Sequence, residues 1–336
     1  MVRFTHATGL LFKVQSGAIS HDGVYSKLAV GYNIGTIVHI QTIAEVGMEI
    51  VIASEAPILK QTEVRDGATI RQILLAGDTP EGINFRLFRS QYQSGDNAFE
   101  SPRHHHAFQQ IRWAESGAVN YGPDMNIPEG DIAYFPRGTY YGPQRKDAGI
   151  GLLLQFGFDG EHQSGPRWDA IREEAIKKLK ARGTVQHGVF TETDPHTGQT
   201  LERDAALALY EQRYLMQFNK PFPVPVERYE TPILMHAGSF EYFQLAPGVE
   251  MKQLGHFFDH PGRQGDVRIS MIRLSGGAHR LGAERSQVGW AKSPGLQING
   301  RLLPEMSCFY GSSGEELTIS GANGVEVCLV EFPRLD

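Results

Sequence analysis

Apolar and polar residues alternate in short runs along most of this chain. In one run, Val267, Ile269 and Met271 share one face of an extended backbone, while Arg268 and Ser270 share the other. A period of two is the pattern of a β-strand that rests one face on a core. Because glycines and prolines separate such runs at short intervals, the pattern predicts an all-β sandwich or barrel. Comparable apolar runs lie at 69–76, 84–91, 150–158 and 325–332.

Two segments depart from this pattern and carry a helical period instead. In the first, 167–182, apolar residues fall on one stripe, and Gly183 follows as a stop signal. In the second, 202–218, an apolar or aromatic residue recurs every four positions from Ala206 to Phe218. The two patterns predict a pair of amphipathic helices in the middle of the chain.

These elements divide the chain into four parts. We expect one barrel in 55–158 and a second in 241–336, separated by a partly helical connector, 159–240, that packs on the barrels. Residues 1–54 are expected to form an N-terminal arm or extra strands. Met48 is a plausible native start, so the segment before it is either an extra strand, an arm or an upstream extension.

The bulk properties suit a globular protein with two cores. The chain has 336 residues, of which 40% are hydrophobic and 21% are charged, and its formal net charge is −6. A negative charge argues against nucleic acid or an anionic membrane as a partner, because both require a basic face. No apolar run is long enough to span a membrane, and the N-terminus does not have the pattern of a signal peptide. We therefore expect a cytoplasmic protein.

The two cysteines do not point to a site. Cys308 and Cys328 each lie in an apolar, strand-like run. Two thiols alone cannot build a cysteine-rich zinc site, and the spacing does not suggest a disulfide scaffold. Both are expected to be small buried side chains.

The candidate chemistry begins with three consecutive histidines. Alternate side chains of a strand share a face, so His104 and His106 point the same way, and His105 points to the outer face. Two imidazoles on one face can reach a single divalent ion, and imidazole is a good ligand for several transition metals. Alternatively, the pair lines a pocket without a metal.

Three further residues are placed near this pair. Gln110 and Arg112 share a face of the next predicted strand. Gln110 offers a neutral carbonyl oxygen, and Arg112 offers a cationic fork for a carboxylate, unless it pairs with Glu115. Turn residues on both sides of the following strand would deliver Tyr141 to the barrel mouth.

At this point the chain resembles the cupin superfamily. The first cupin motif has the form G-x5-H-x-H-x(3,4)-E-x6-G, and the second has the form G-x5-P-x-G-x2-H. The resemblance implies RmlC-like jelly-roll barrels, and the two β-rich parts then imply a two-domain bicupin. The matching positions are His104, His106, Gln110 and Gly117 for the first motif, and Gly130, Pro136, Gly138 and Tyr141 for the second.

The resemblance also implies a site. It assigns His104, His106 and Gln110 as ligands of a divalent transition metal (Fe, Mn, Ni or Zn), with catalytic roles for Arg112 and Tyr141. Two positions depart from the family pattern, because Gln110 replaces its glutamate and Tyr141 replaces its last histidine. Losing an anionic ligand weakens the attraction for a dication. A tyrosine ligates best as a phenolate, which its free pKa near 10 opposes.

The C-terminal part predicts a degenerate cupin barrel. Residues 278–281 fall where an H-x-H pair would lie, but Leu281 replaces the second histidine, and Glu284 is not at the expected offset. We expect this barrel to support packing or dimerisation. Cupins often pair through barrel edges, which covers exposed strands, so a homodimer is expected.

Three functions remain open from the sequence. The first is a metal-dependent enzyme, with a dioxygenase as the leading subclass, that acts on a small acidic or carbonyl-containing substrate held by Arg112. The second is a non-catalytic small-molecule binding protein, which the substituted ligands favour. The third is a metal-free epimerase-like or isomerase-like enzyme, in which His104 or His106 is the base.

Overall fold

Strands are the main elements of this chain, as the alternating pattern predicts. The computed structural model describes residues 48–61, 64–67, 69–146, 148–157, 162–258 and 266–334. The expectations for the segment before Met48 lie outside the described residues.

The strands of the N-terminal half are β1 Glu49–Ile52, β2 Ile58–Gln61, β3 Thr69–Asp78, β4 Asn84–Tyr92, β5 Phe99–Ser101, β6 Gln109–Ser116, β7 Val119–Gly122, β8 Met125–Ile127, β9 Ile132–Phe135, β10 Gln144–Lys146 and β11 Gly149–Gly157. The middle contains α1 Pro166–Ala170, α2 Arg172–Arg182, β12 Gly183–Gln186, β13 Val189–Thr193, β14 Thr200–Asp204, α3 Ala205–Phe218 and β15 Ile233–Met235. The C-terminal strands are β16 Phe243–Ala246, β17 Val249–Phe257, β18 Val267–Leu274, β19 Ala278–Leu281, β20 Gln287–Ala291, β21 Leu296–Ile298, β22 Arg301–Leu302, β23 Ser307–Gly311, β24 Leu317–Gly321 and β25 Val325–Glu331. Short 3-10 helices lie at Ala53–Glu55, Gly95–Asn97 and Ala237–Ser239.

Two seven-stranded antiparallel sheets form the body of the fold. One has the order β15-β9-β6-β11-β4-β3-β2, and the other has the order β1-β23-β20-β25-β18-β17-β16. Smaller sheets, β5-β10 and β7-β8 on one side and β19-β24-β21-β22 on the other, close each half. The prediction of an all-β fold with two barrels and a partly helical connector is confirmed.

Each large sheet includes a strand from outside its own predicted range. β1, from the N-terminal arm, pairs with β23 of the C-terminal sheet. β15, from the connector, pairs with β9 of the N-terminal sheet. The predicted domain boundaries stay predictions, but the chain crosses between the two halves at both places.

A single apolar core lies between the two large sheets. Phe85 and Trp113 from the first sheet meet Trp290 and Tyr310 from the second. The rings of Phe85 and Tyr310 stack with centroids 5.0 Å apart, and those of Trp113 and Trp290 are 6.0 Å apart. Because apolar burial contributes about 25 cal/mol for each Å² removed from water, each sheet stabilises the other.

The interior of the second barrel is apolar. On β18, Val267, Ile269 and Met271 face the core between the sheets, whereas Ile272 and Leu274 face the barrel interior. The alternation seen in the sequence is therefore an alternation between two cores. The interior cluster also contains Phe309, Leu317, Ile319, Val327 and Leu329.

The connector contains the predicted helices and a small sheet that was not predicted. Ile171 interrupts the first helix and divides it into α1 and α2. The second predicted helix begins at Ala205 rather than Glu202, because residues 200–204 pair as β14 with β13. Its buried face contains Ala208 and Leu209, and of the four residues at every fourth position only Tyr214 is buried. A cluster centred on Phe190 joins these helices to the small sheet.

Asp204 fastens this connector to the first barrel. Its side chain accepts a hydrogen bond from the backbone N–H of Leu207, which caps α3 at 2.8 Å. The same carboxylate accepts hydrogen bonds from the Arg65 guanidinium, with Nη2 at 2.9 Å from both oxygens. The Asp204 carboxylate thus both caps the N-terminus of α3 and forms an ion pair with an arginine of the barrel.

Two smaller expectations concern the rest of the chain. Cys308 and Cys328 are buried free thiols, as predicted, and burial raises the pKa of both. Within the described ranges, no helix is long and apolar enough to cross a bilayer.

Candidate functional site

The backbone brings the two predicted motifs together. His104 and Tyr141 form an isolated antiparallel bridge, in which each N–H donates to the other's carbonyl at 3.0 and 2.9 Å. Gly138, whose φ of +77° is one that glycine adopts easily, donates its N–H to the carbonyl of His106 at 2.8 Å. The histidines lie in this loop rather than in a continuous strand, since β6 begins only at Gln109.

Strand β6 separates its two faces as predicted. Ile111 and Trp113 belong to the core between the sheets, so Gln110 and Arg112 point the other way, into the first barrel. The neighbouring strand places Gln155 beside Gln110 and Leu153 beside Arg112. The interior of this barrel is therefore partly polar, in contrast to that of the second barrel.

A buried chain of hydrogen bonds links four of the five predicted residues. Arg112 Nε donates to Gln110 Oε1 at 2.8 Å, and Arg112 Nη2 donates to Tyr141 Oη at 2.7 Å. Tyr141 Oη is in turn hydrogen-bonded to His106 Nε2. Because the guanidinium is a donor only, the tyrosine hydroxyl accepts from Arg112 and donates to His106.

His104 completes the cluster. Its ring centroid is 4.4 Å from that of Tyr141 and 5.2 Å from that of His106. Its Nδ1 donates to the carbonyl of Pro102 at 2.7 Å, and this leaves Nε2 as a lone pair that is buried without a partner. The structure thus brings His104, His106, Gln110, Arg112 and Tyr141 together.

Both imidazoles are neutral at physiological pH. Burial lowers the pKa of His104 and of His106 well below 6.5. The positive charge of Arg65 adds to this effect at His104, and the neighbouring His104 adds to it at His106. Burial also raises the pKa of Tyr141, so its hydroxyl stays protonated.

The donor set as arranged does not fit a divalent metal. His104 Nε2 is a free lone pair of the right kind, but the other three donors are engaged: Arg112 binds Gln110 and Tyr141, and Tyr141 binds His106. A guanidinium stands within hydrogen-bonding distance of two of the expected ligands and would repel a dication. Within the described part of the chain, no group of three His, Cys, Asp or Glu side chains is arranged to hold an ion.

Two residues beside the cluster have partners that the sequence did not identify. His105, which was expected on the outer face, is buried: it stacks on Tyr140 with centroids 4.5 Å apart, and its Nδ1 lies 3.2 Å from the carbonyl oxygen of Gly138. The alternative that Arg112 pairs with Glu115 is wrong, because Arg89 of β4, on the far side of β11, binds both oxygens of Glu115 at 2.7 and 2.8 Å.

A cavity of about 240 Å³ lies inside the first barrel. His106, Gln110 and Arg112 line it, while His104 and Tyr141 are not among the lining residues. The connector closes it with side chains from α1 and α3, including Trp168 and Tyr210. The volume is sufficient for a small organic molecule.

Positive charge dominates this cavity. Among the described residues, six arginines and one lysine line it, against two aspartates. Some of these cations have carboxylate partners: Asp204 pairs with Arg65, and Asp169 pairs with Arg86 and Arg213. The basic residues are Arg65, Arg71, Arg86, Arg112, Lys146, Arg172 and Arg213.

Arg112 stands apart from these pairs. It is 3% exposed, and in the described chain it binds an amide and a phenol but no carboxylate. Its guanidinium lies over the rings of Phe135 and Tyr141, at 4.1 and 4.8 Å, and Nη1 is buried without a partner. An isolated buried charge is costly, and the two aromatic faces offset part of that cost.

Comparison with known proteins identifies the fold. Neither a family model nor a curated protein matches the sequence. Among solved structures, a candidate dioxygenase from Nostoc punctiforme superimposes over 86% of this chain and 82% of its own, with 10% identity and a TM-score of 0.53. This chain has the two-barrel cupin fold. Lower similarity is found to the Streptomyces albus enzyme HEPD, solved with 2-hydroxyethylphosphonate and Fe(II) (12% identity, 85% and 76% covered, TM-score 0.48), and to Bacillus subtilis oxalate decarboxylase, studied for its Mn(II) centres (11%, 87% and 78%, 0.47).

Several residues of the cupin cavity were not identified from sequence. Arg71 and Arg86 lie on β3 and β4, where their inward direction depends on register, and Gln155 is the partner of both Arg86 and Gln110. An arginine in the middle of an apolar strand was the sequence feature that could have indicated Arg71 and Arg86. Lys146 had no such feature, because β10 is only three residues long and shows no alternation.

Proposed function

We propose that the first barrel of this cupin binds a small organic acid in its cationic cavity and does so without a metal ion. Arg112 carries the proposal: it is a buried guanidinium with no carboxylate partner in the described chain and with one donor nitrogen, Nη1, unused. A carboxylate is the group that such a planar fork binds best, with two parallel hydrogen bonds.

The neighbouring side chains define how the acid is held. Gln110 and Tyr141 orient the guanidinium by accepting from Nε and Nη2. His106 lines the cavity as a neutral imidazole, suited to a hydroxyl or carbonyl of the ligand rather than to its charge. The other cations that line the cavity attract the anion and favour an acid with more than one negative charge.

The proposal is tested by calorimetric titration of chelator-treated, tag-free protein with a panel of mono-, di- and tricarboxylic acids and phosphate esters. We expect an acid to bind, and Arg112→Gln to weaken it by about 10- to 100-fold, since a hydrogen bond to a charged group is worth about 1.5–3 kcal/mol. Arg280→Gln is the control, because it removes the same charge from an exposed ion pair with Glu316. Equal affinities of the two variants would contradict the proposal.

A second candidate is the metal-dependent enzyme, dioxygenase-like, that the cupin motif implies. The unpartnered Nε2 of His104, with the His106 ring beside it, favours this candidate. It requires Arg112 to leave Gln110 and Tyr141. Metal analysis of protein purified without a histidine tag separates the two candidates. One transition metal per chain, lost in a His104→Ala/His106→Ala double variant, would replace the first proposal with this one.

The predicted homodimer and the cytoplasmic location stay predictions. β16 is an edge strand of the second large sheet and exposes Phe243 and Leu245. Light scattering of the purified protein would measure the oligomeric state.

A further inference from the structure

Lys146 is a second buried basic residue in the same cavity. It is 3% exposed, and its Nζ donates to the phenol of Tyr92 at 3.2 Å. The nitrogen lies over the rings of Tyr92 and Phe99, at 4.5 and 5.4 Å from their centroids. No carboxylate contacts it within the described ranges, so its surroundings are aromatic rings, a phenol and other cations.

These surroundings favour the free amine. Burial lowers the pKa of Lys146 well below 10.5, and the positive charges of Arg112, Arg71 and Arg65 lower it further. Burial also raises the pKa of Tyr92, so the phenol is neutral and does not offset these charges. Each unit by which the pKa falls raises the fraction of unprotonated amine about tenfold at neutral pH.

We infer that Lys146 is a nucleophile that forms a Schiff base with the carbonyl group of an oxo acid whose carboxylate is bound by Arg112. This inference rests on the proposed function, since the carboxylate has to be held in the cavity that both side chains line. An unprotonated lysine in a desolvated site beside another cationic group is the arrangement that activates amines toward carbonyl carbon.

The step balances without an oxidant or a reductant. The Nζ lone pair forms a bond to the carbonyl carbon, and the C=O π pair moves to oxygen. A proton then passes from the nitrogen to that oxygen, which gives a carbinolamine. The hydroxyl of Tyr92 is hydrogen-bonded to Nζ and can relay this proton. The nitrogen lone pair then expels the hydroxyl group as hydroxide, which leaves a protonated imine, and the hydroxide takes a proton from solvent to become water. Such an imine withdraws electrons from neighbouring bonds, which is how lysine enzymes enolise or decarboxylate oxo acids.

Reductive trapping tests the inference directly. The full-length protein is incubated at neutral pH with pyruvate, acetoacetate or levulinate, which place the carbonyl at increasing distance from the carboxylate, and is then reduced with borohydride. We expect intact-mass measurement to show one reduced adduct per chain with at least one of these acids. Peptide mapping is expected to place it on Lys146 and to show no other lysine modified to a similar extent.

Two variants complete the test. Lys146→Met is expected to lose the adduct. Lys252→Met is the matched control, since Lys252 is also buried but donates to the carbonyl of Ala237 in a separate environment. Burial lowers the pKa of Lys252 as well, but the nearby carboxylates of Glu326 and Asp131 oppose this effect, whereas no carboxylate of the described chain does so at Lys146. Lys252→Met is expected to leave trapping unchanged. If Lys146→Met fails to fold, the adduct position mapped in the unaltered protein still decides the question.

Binding of the same acids without borohydride separates this inference from the proposed function. An acid that binds in an Arg112-dependent manner but leaves no adduct on Lys146 would overturn the Schiff base and leave the proposed function standing. If no acid in the wider panel binds, both are contradicted. Adducts spread over surface lysines, and equally present in Lys146→Met, would also overturn the Schiff base.

Discussion

At the scale of single residues, the site is defined by which charges lack a partner. Arg65 pairs with Asp204, and Arg86 and Arg213 share Asp169, whereas Arg112 is bound by a phenol and an amide. Burying a charge without a counter-ion destabilises a fold, and such costs are concentrated at functional sites. The Arg112 guanidinium is therefore the group at which we propose that an anion binds.

Buried neutral histidines also make stability depend on pH. His162 lines the cavity, with its Nδ1 2.9 Å from Asn84 Oδ1 and its ring edge-on to Phe108, and burial lowers its pKa to about 3. In the unfolded chain its pKa returns to 6.5. Between these two values the unfolded state binds one more proton than the folded state, so stability rises with pH in that window and falls as the solution is acidified.

We predict that His162→Gln makes the free energy of unfolding less sensitive to acid. The unaltered protein should lose about 1.4 kcal/mol per pH unit below about pH 6 through this residue, and the variant should lose that much less. Denaturant unfolding at several pH values between neutral and the acid limit of folding would measure the difference. His187→Gln is the control, because His187 is exposed beside Asp66. Parallel pH curves for His162→Gln and the unaltered protein would show that His162 is not buried as described.

At the scale of elements, a few strands and one helix start position the site. β6 presents Gln110 and Arg112 to the cavity because its alternate residues, Ile111 and Trp113, fill the core between the sheets. The bridge between His104 and Tyr141 ties the two motifs together. The connector completes the cavity, and Asp204 joins it to the barrel through Arg65.

The two roles of Asp204 can be separated by substitution. Asp204→Asn keeps an N-cap oxygen but removes the charge that binds Arg65, whereas Asp204→Ala removes both. Because asparagine caps as well as aspartate, we expect Ala to be less stable than Asn by about 1 kcal/mol, measured by denaturant unfolding. Asn itself should be less stable than the unaltered protein, since it leaves the Arg65 guanidinium without its carboxylate. Equal stability of the Asn and Ala variants would mean that the cap contributes nothing.

The sequence pattern predicted these elements well where the apolar alternation continued regularly over many residues. The strand at 267–274 and the helical segments were predicted close to their observed positions because each has a long, regular apolar period. β14 was missed because residues 200–204 contain no apolar alternation and are strand only by pairing with β13. The burial of His105 was not predicted because it depends on the contact with Tyr140, a tertiary interaction that the period of two does not encode.

At the scale of the whole molecule, the two barrels have different interiors, and their two large sheets share one apolar core between them. The motif predicted that five residues would converge, and they do, but spacing alone cannot show that Arg112 lies among the expected ligands. The second barrel was predicted to be a degenerate cupin barrel, and an apolar cluster around Phe309 and Leu317 lies in its interior. The sequence indicates which barrel has a polar interior, whereas the chemistry of the site depends on which side chains are hydrogen-bonded to each other.

The shared core predicts that the two barrels unfold together. Trp290 is buried on the second sheet against Trp113 of the first. We expect Trp290→Ala to destabilise the protein by about 3–5 kcal/mol and to leave a single calorimetric transition at a lower temperature. Leu302→Ala, at an exposed position of the second barrel, should leave the transition unchanged. Two separated transitions, with only one shifted, would contradict a common core.

We propose that an anion, not a metal ion, occupies the cluster around Arg112. Anomalous diffraction from crystals of tag-free protein soaked in bromide would test this most directly. We predict a bromide peak in contact with Arg112 Nη1 in the unaltered protein and no such peak in Arg112→Gln. An anomalous peak from a transition metal between the His104 and His106 rings, with Arg112 turned away from Gln110 and Tyr141, would contradict it.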